Sequence, residues 1–210
     1  VLRANAIMEL ALIALATRDS EYAVSILATN NMGLLSIWPQ LPPHQTNEIT
    51  LVLARAWEAT GNYLAAARER IYIDPTLSSD QAEANRVQIW NDLLQVPNAK
   101  LIMLSQGISI PEENELKAWL ELAWINKAFQ DALEPQIHML EQWQKRYPNH
   151  PPLPESLRIL PKLKAQRPSR IALILPANGE LFRAAEAISM GFAAAHYSSN
   201  PTPLNAPESE

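Results

Sequence analysis

Four histidines, six tryptophans, a short acidic cluster and one loop glycine are the residues in this 210-residue chain whose types could do chemistry. A helical metal pair needs two ligands at i, i+3 or i, i+4, and no two of His44, His138, His150 and His196 stand so. His138, between Ile137 and Met139, and His150, in a proline-rich turn, read as packing residues. Glu112, Glu113 and Glu115 follow Pro111, and carboxylates after a proline fit a first helical turn, where the dipole favours them, better than an acid–base pair. The sequence has no cysteine, which removes thiolate nucleophiles, disulfides and Cys-ligated metals together and leaves the compartment open. No Walker A loop, GxGxxG, GxSxG or HExxH occurs, and five glycines leave little for a phosphate cradle. Gly179 alone follows an apolar run and precedes a helical pattern, where backbone amides can meet an anion. The tryptophans could stack on sugars, but Trp57, Trp90, Trp119 and Trp143 fall on helical apolar stripes and are expected in the core, with Trp38 and Trp124 the exceptions. The chain is therefore expected to be no enzyme, to hold no metal and no cofactor, and to act by binding another protein.

The elements that must position these residues are helices. Hydrophobic residues make up 48% of the chain, enough for a real core, and the net charge of −5 carries no basic stripe for nucleic acid. No apolar run reaches the roughly 18 residues a membrane span needs. The run from Ala4 to Ala16 instead places Ile7, Leu10, Ala11, Ala14 and Leu15 on one helical stripe. Further stripes are Ile49–Val52–Leu53–Ala56–Trp57, Val87–Trp90–Leu94, Leu116–Trp119–Leu120–Ala123–Trp124 and Leu133–Ile137–Leu140–Tyr147. Ser78-Ser79-Asp80 can cap one of them. The punctuation between stripes is short: Gly61-Asn62, Asp74-Pro75, Val96-Pro97-Asn98, Gly107 and Ile110-Pro111. Brief connections make successive helices antiparallel neighbours. The segment from Leu53 to Arg68 looks like a tetratricopeptide unit, with Trp57, Gly61, Tyr63 and Ala66 where the repeat wants a bulky residue, a turn and a small packing residue.

The pattern changes after Tyr147. Pro148, Pro151, Pro152 and Pro154 cannot continue a helix. Glu155–Ala165 is a short helical piece broken at Pro161. Arg170–Pro176 is a continuous apolar run that reads as a strand buried on both faces. Asn178-Gly179 turns the chain, and Glu180–Tyr197 is helical with Leu181, Ala184, Ala185, Ile188 and Phe192 on one side. The expected fold class is all-α, a tetratricopeptide-like helical-repeat array over 1–165. One short βα unit, the truncated start of an α/β domain, is expected over 166–197, with a flexible tail over 198–210. Val1 in the first position is read as a sign of further sequence upstream.

Two stretches, Trp119-Leu120-Glu121-Leu122-Ala123 and Trp143-Gln144 with Arg146-Tyr147-Pro148-Asn149-His150-Pro151, resemble the N-terminal domain of the LpoA-type penicillin-binding-protein activators. Leu153-Pro154 and the run Arg170–Pro176 follow in that family's order. Ala184 to Ile188, Gly191 to Ala195 and Tyr197 look like the first helix of its C-terminal, periplasmic-binding-protein-like domain. The resemblance implies an outer-membrane lipoprotein of the periplasm, anchored through an upstream lipid absent from this chain. It also implies a non-catalytic regulator of peptidoglycan synthesis and cell-wall biogenesis. Its partner would be a bifunctional class A penicillin-binding protein, with peptidoglycan a second candidate. The helical domain would serve as spacer and second contact surface, most of the activating half being absent. Two other readings stand beside it: a general tetratricopeptide protein-interaction scaffold, and the remnant of a periplasmic small-molecule receptor with Asn178-Gly179 in its ligand loop.

Overall fold

The computed structural model describes residues 2–28, 37–166 and 172–199. The chain divides into two compact units, Val1–Ala165 and Gln166–Glu210.

Among its described residues, the regular structure of the first unit is helical throughout. Helices α1 (Leu2–Ala16), α2 (Ser20–Ala28) and α3 (Pro43–Ala59) pack on one another, and the buried residues of α1 are Ala4, Ile7, Ala11 and Ala14. Leu10, placed on that stripe by spacing, lies at its exposed margin. Helix α3 passes to α4 (Tyr63–Ile73) through Gly61 at φ 77°, and the Asn62 side chain accepts from the Ala65 amide to cap α4. Only a residue without Cβ takes that left-handed turn freely. This is the helix–turn–helix expected of Leu53–Arg68, with Ala56 and Ala66 fully buried at the crossing.

Asp74-Pro75-Thr76 forms a single 3-10 turn, and α5 (Ser79–Gln95) opens on Ser78, whose backbone amide and hydroxyl both meet Gln81 Oε1 at 3.3 and 2.9 Å. That is the capping arrangement for which the serine cluster is suited. Next come α6 (Asn98–Gly107), α7 (Asn114–Ala128) and α8 (Leu133–Arg146). Pro111–Glu113 makes a 3-10 turn before α7, so the acidic cluster marks a helix start. Ile159 separates α9 (Glu155–Arg158) from α10 (Leu160–Ala165). Pro161 is thus inside the first turn of α10, where its missing N–H costs nothing.

The apolar core is in two clusters. One joins α1, α2 and α3 through small and medium side chains such as Ala11, Ala23, Ile26, Ile49 and Val52. The other runs from Ala67 and Ile71 of α4 to Leu157 and Leu160, and contains Trp90, Trp119 and Trp143.

The second unit corrects one expectation. Of the run Arg170–Pro176, the first two residues lie outside the described ones, and Ala172–Pro176 has no regular secondary structure. Ile174 is 93% exposed there, where a strand covered on both faces would bury it. A strand needs a neighbour for its N–H and C=O groups, and none of the described residues forms one. Helix α11 (Phe182–Ser199) follows, and of its expected apolar stripe only Ala185 is buried. Ser198 and Ser199, assigned to the tail, end this helix; residues 200–210 of the tail lie outside the described residues.

Candidate functional site

The four histidines stand on separate elements. His44 lies exposed on α3, and His138 is exposed on α8, where the Gln142 amide meets its Nε2 at 2.8 Å. His196 is on α11. Among the described residues no group of three or more His, Cys, Asp or Glu is placed to hold a metal ion. No described helix is long and apolar enough to cross a membrane.

His150 has the most elaborate setting of the four. Its side chain is 1% exposed, held edge-on between Trp119 and Trp143 with both ring centroids at 4.6 Å. The Trp143 indole N–H donates to the Ala118 carbonyl at 2.9 Å, which fixes one wall of this slot. His150 Nδ1 sits 2.9 Å from the Pro151 carbonyl, and a carbonyl only accepts, so Nδ1 carries the hydrogen. Burial pushes the imidazole down to about 4, so at neutral pH it is an uncharged ring filling space between two indoles. Nε2 faces Glu115 at 3.5 Å. The motif Trp143 to Pro151 is thus a device that folds the proline-rich segment back onto α7 and α8.

Gly179 stands at φ 89°, and its carbonyl accepts the Phe182 amide at 3.1 Å. The first amide of α11 therefore closes the turn. An amide held this way does not offer its hydrogen to an anion, and the next residue, Glu180, brings negative charge.

One concave feature of the first unit was not legible as a site in the sequence. A groove of about 560 Å³ lies between α5 and the segment Pro152–Arg158. One wall is a single face of α5, Ser79, Glu83, Arg86, Val87 and Trp90, at i, i+4, i+7, i+8 and i+11. Trp90 and Trp119 floor it, and Pro152, Leu153 and Pro154 form the opposite apolar wall. Glu83, Glu155 and Arg158 stand on the rim, while Arg86 is held by Asp74 through Nε–H to Oδ2 at 2.8 Å. The groove thus combines an apolar floor with a charged rim, and its lining contains no nucleophile paired with a base. Trp90 and Trp119, expected as core, are buried and also line this groove. Trp38, Trp57 and Trp124 are half-buried at cluster margins, so Trp57 joins the two expected exceptions.

A buried polar group was also missed. Glu58 of α3, Arg70 of α4, and Asn85 and Asp92 of α5 meet at the junction of the three helices. Arg70 donates from Nε to Glu58 Oε1 at 3.0 Å and from Nη2 to the same oxygen. Asn85 Nδ2 donates to the Arg70 carbonyl and to Asp74 Oδ1, each at 3.0 Å. The available signal was that Arg70 continues the stripe of Ala66 and Ala67, and that Asn85 and Asp92 share the stripe of Ile89 and Leu93. Polar residues at core positions mark a buried network.

Against known proteins, the family model described as LppC putative lipoprotein matches residues 3–207. Similar curated proteins include the penicillin-binding protein activator LpoA of Mannheimia succiniciproducens, 32% identical over 190 residues, covering 87% of this chain and 31% of that protein. The protein of the same name from Photobacterium profundum is 27% identical over 169 residues, covering 79% of this chain and 27% of that protein. Among solved structures, Haemophilus influenzae LpoA matches with a TM-score of 0.66 and 23% identity over 92% of this chain and 35% of that one. The LpoA N-terminal domain from the same organism matches with a TM-score of 0.60 and 22% identity, over 75% of this chain and 68% of that one. The chain spans under a third of the length of these two curated relatives.

Proposed function

This chain belongs to the family of LppC putative lipoproteins, and from that membership we propose that it is the helical domain of a non-catalytic activator of a penicillin-binding protein. The observation that carries the reading is the 32% identity across 87% of the chain to a protein named for that activity. The partner is a bifunctional class A synthase, and the place of action is the periplasm, with the parent protein held to the outer membrane by a lipid.

An activator of this kind works by binding one conformation of its partner more tightly than another, and needs no reactive group of its own. The helical unit contributes shape: short-connected helices with two apolar clusters hold a surface rigid. Its contact surface is the groove between α5 and Pro152–Arg158, where an apolar floor can bury an inserted side chain and the charged rim sets orientation.

The test uses the full-length parent protein and purified class A synthase in detergent. Co-sedimentation and a raised rate of glycan polymerisation and cross-linking are expected. Val87→Glu combined with Leu153→Glu, which puts charge on both apolar walls, is expected to weaken association about tenfold or more, the scale of losing one buried anchor. No association of the parent with any class A synthase would overturn the proposed activity. Association unaffected by the groove pair would overturn only the assignment of the groove.

A further inference from the structure

The junction of α3, α4 and α5 holds three ionisable side chains and one buried acceptor, Asp92 Oδ2, at which no donor is directed. Arg70 is 6% exposed and Asp92 4% exposed. The guanidinium turns Nε–H and an Nη2 hydrogen to Glu58 Oε1. Asp92 Oδ2 is 3.4 Å from Arg70 Nε, yet that oxygen is buried with no hydrogen-bond partner, because the Nε hydrogen is already directed at Glu58. Two carboxylates thus face one guanidinium. With both ionised, the trio is a buried net charge of −1 with an acceptor lacking a donor, an arrangement proteins avoid by neutralising one group. A single proton removes the net charge and supplies the missing donor.

The remaining charges nearby do not serve instead. Asp74, from the turn after α4, is engaged by Arg86 of α5 and by Asn85. Lys127 of α7 donates to the Leu94 and Val96 carbonyls at 3.0 and 2.7 Å. The groups that act on Asp92 are Glu58 from α3 and Arg70 from α4. Burial first, and the Glu58 charge second, push the Asp92 carboxyl up to about 7 against the pull of Arg70. The trio also lies where one apolar cluster ends, at Ala56 of α3, and the other begins, at Ala67 of α4.

We propose that Glu58, Arg70 and Asp92 are a proton-linked latch: they hold one proton among them, and with it α3, α4 and α5 are joined across the seam between the two apolar clusters. The unfolded chain has already released that proton by neutral pH, because a solvated aspartate ionises at about 4. Folding therefore takes up a proton in the window between the two values, and the latch weakens as pH rises from about 4 to about 7, levelling off above.

Asp92→Asn places a permanently neutral, near-isosteric group in the latch. Urea unfolding of the whole chain and of this variant is compared from mild acid to mild alkali. The unfolding constant of the parent relative to the variant is expected to rise with pH, by up to about tenfold per unit through the window, the limit for one linked proton. A ratio that is level or falls with pH would overturn the latch. Should the variant not fold, a carbon-13 NMR titration of the Asp92 carboxyl in the parent decides. A midpoint well above the ordinary aspartate range supports the latch, and an ordinary midpoint ends it.

Discussion

Arg70 and His150 are both ionisable, both almost wholly inside the helical unit, and kept there by different physics. Arg70 keeps its charge and is compensated by carboxylates from two neighbouring helices, Glu58 and Asp92. His150 gives its charge up: two indoles hold the ring, one carbonyl takes its Nδ1 hydrogen, and burial keeps it neutral. The first arrangement leaves a carboxyl that gains a proton on folding; the second leaves an imidazole that loses one. The two therefore make stability depend on pH with opposite signs. Between about pH 4 and 6.5 their windows overlap and their slopes oppose. A flat profile for the whole chain in that range would be a cancellation, and single substitutions separate the parts.

The strongest break comes from the wall they do not share. Trp143 is 1% exposed, packs on His150 and donates to Ala118. Trp143→Ala is expected to cost about 3–5 kcal/mol, as a large core deletion does, read as the loss in urea midpoint. It leaves the Arg70 junction with its pH dependence, so the slope against rising pH should survive in whatever folded population remains. Arg70→Met is next, at about 3 kcal/mol at neutral pH, because it leaves Glu58 and Asp92 facing each other without a cation. Glu58 is a quarter exposed, which puts the figure at the lower end of the range for breaking a buried pair. Acid should restore part of that loss; a loss equal at pH 5 and pH 8 would show that charge is not its cause.

The smallest effect at neutral pH, and the sharpest in sign, belongs to His150→Gln. The folded ring titrates near 4 and the unfolded one near 6.5, so the unfolded chain binds the proton first. The parent should lose stability relative to this variant as pH falls from about 6.5 to 4, approaching tenfold in the unfolding constant per unit. Together with the aspartate variant this gives slopes of opposite hand from two residues of one unit. Slopes of the same hand would mean the comparison is wrong in one of its halves.

What the sequence determined alone is what depends on neighbours along the chain. The stripe through Ile49 to Trp57 makes α3, Gly61-Asn62 turns it into α4, and Ser78 with Gln81 opens α5, because a helix's hydrogen bonds and caps close within a few residues. Trp119 and Trp143 were legible as core for the same reason. Tertiary structure decided the rest. Glu58, Arg70 and Asp92 stand 12 and 22 residues apart, and only the packing of three helices makes them one group. The groove exists because Pro152–Arg158 returns to lie beside α5, a long-range event without a local pattern. The run Arg170–Pro176 shows the converse: its residues favour a strand, but a strand is half of a pair, and hydrogen bonds to a second backbone segment are something no stretch of residues can supply for itself.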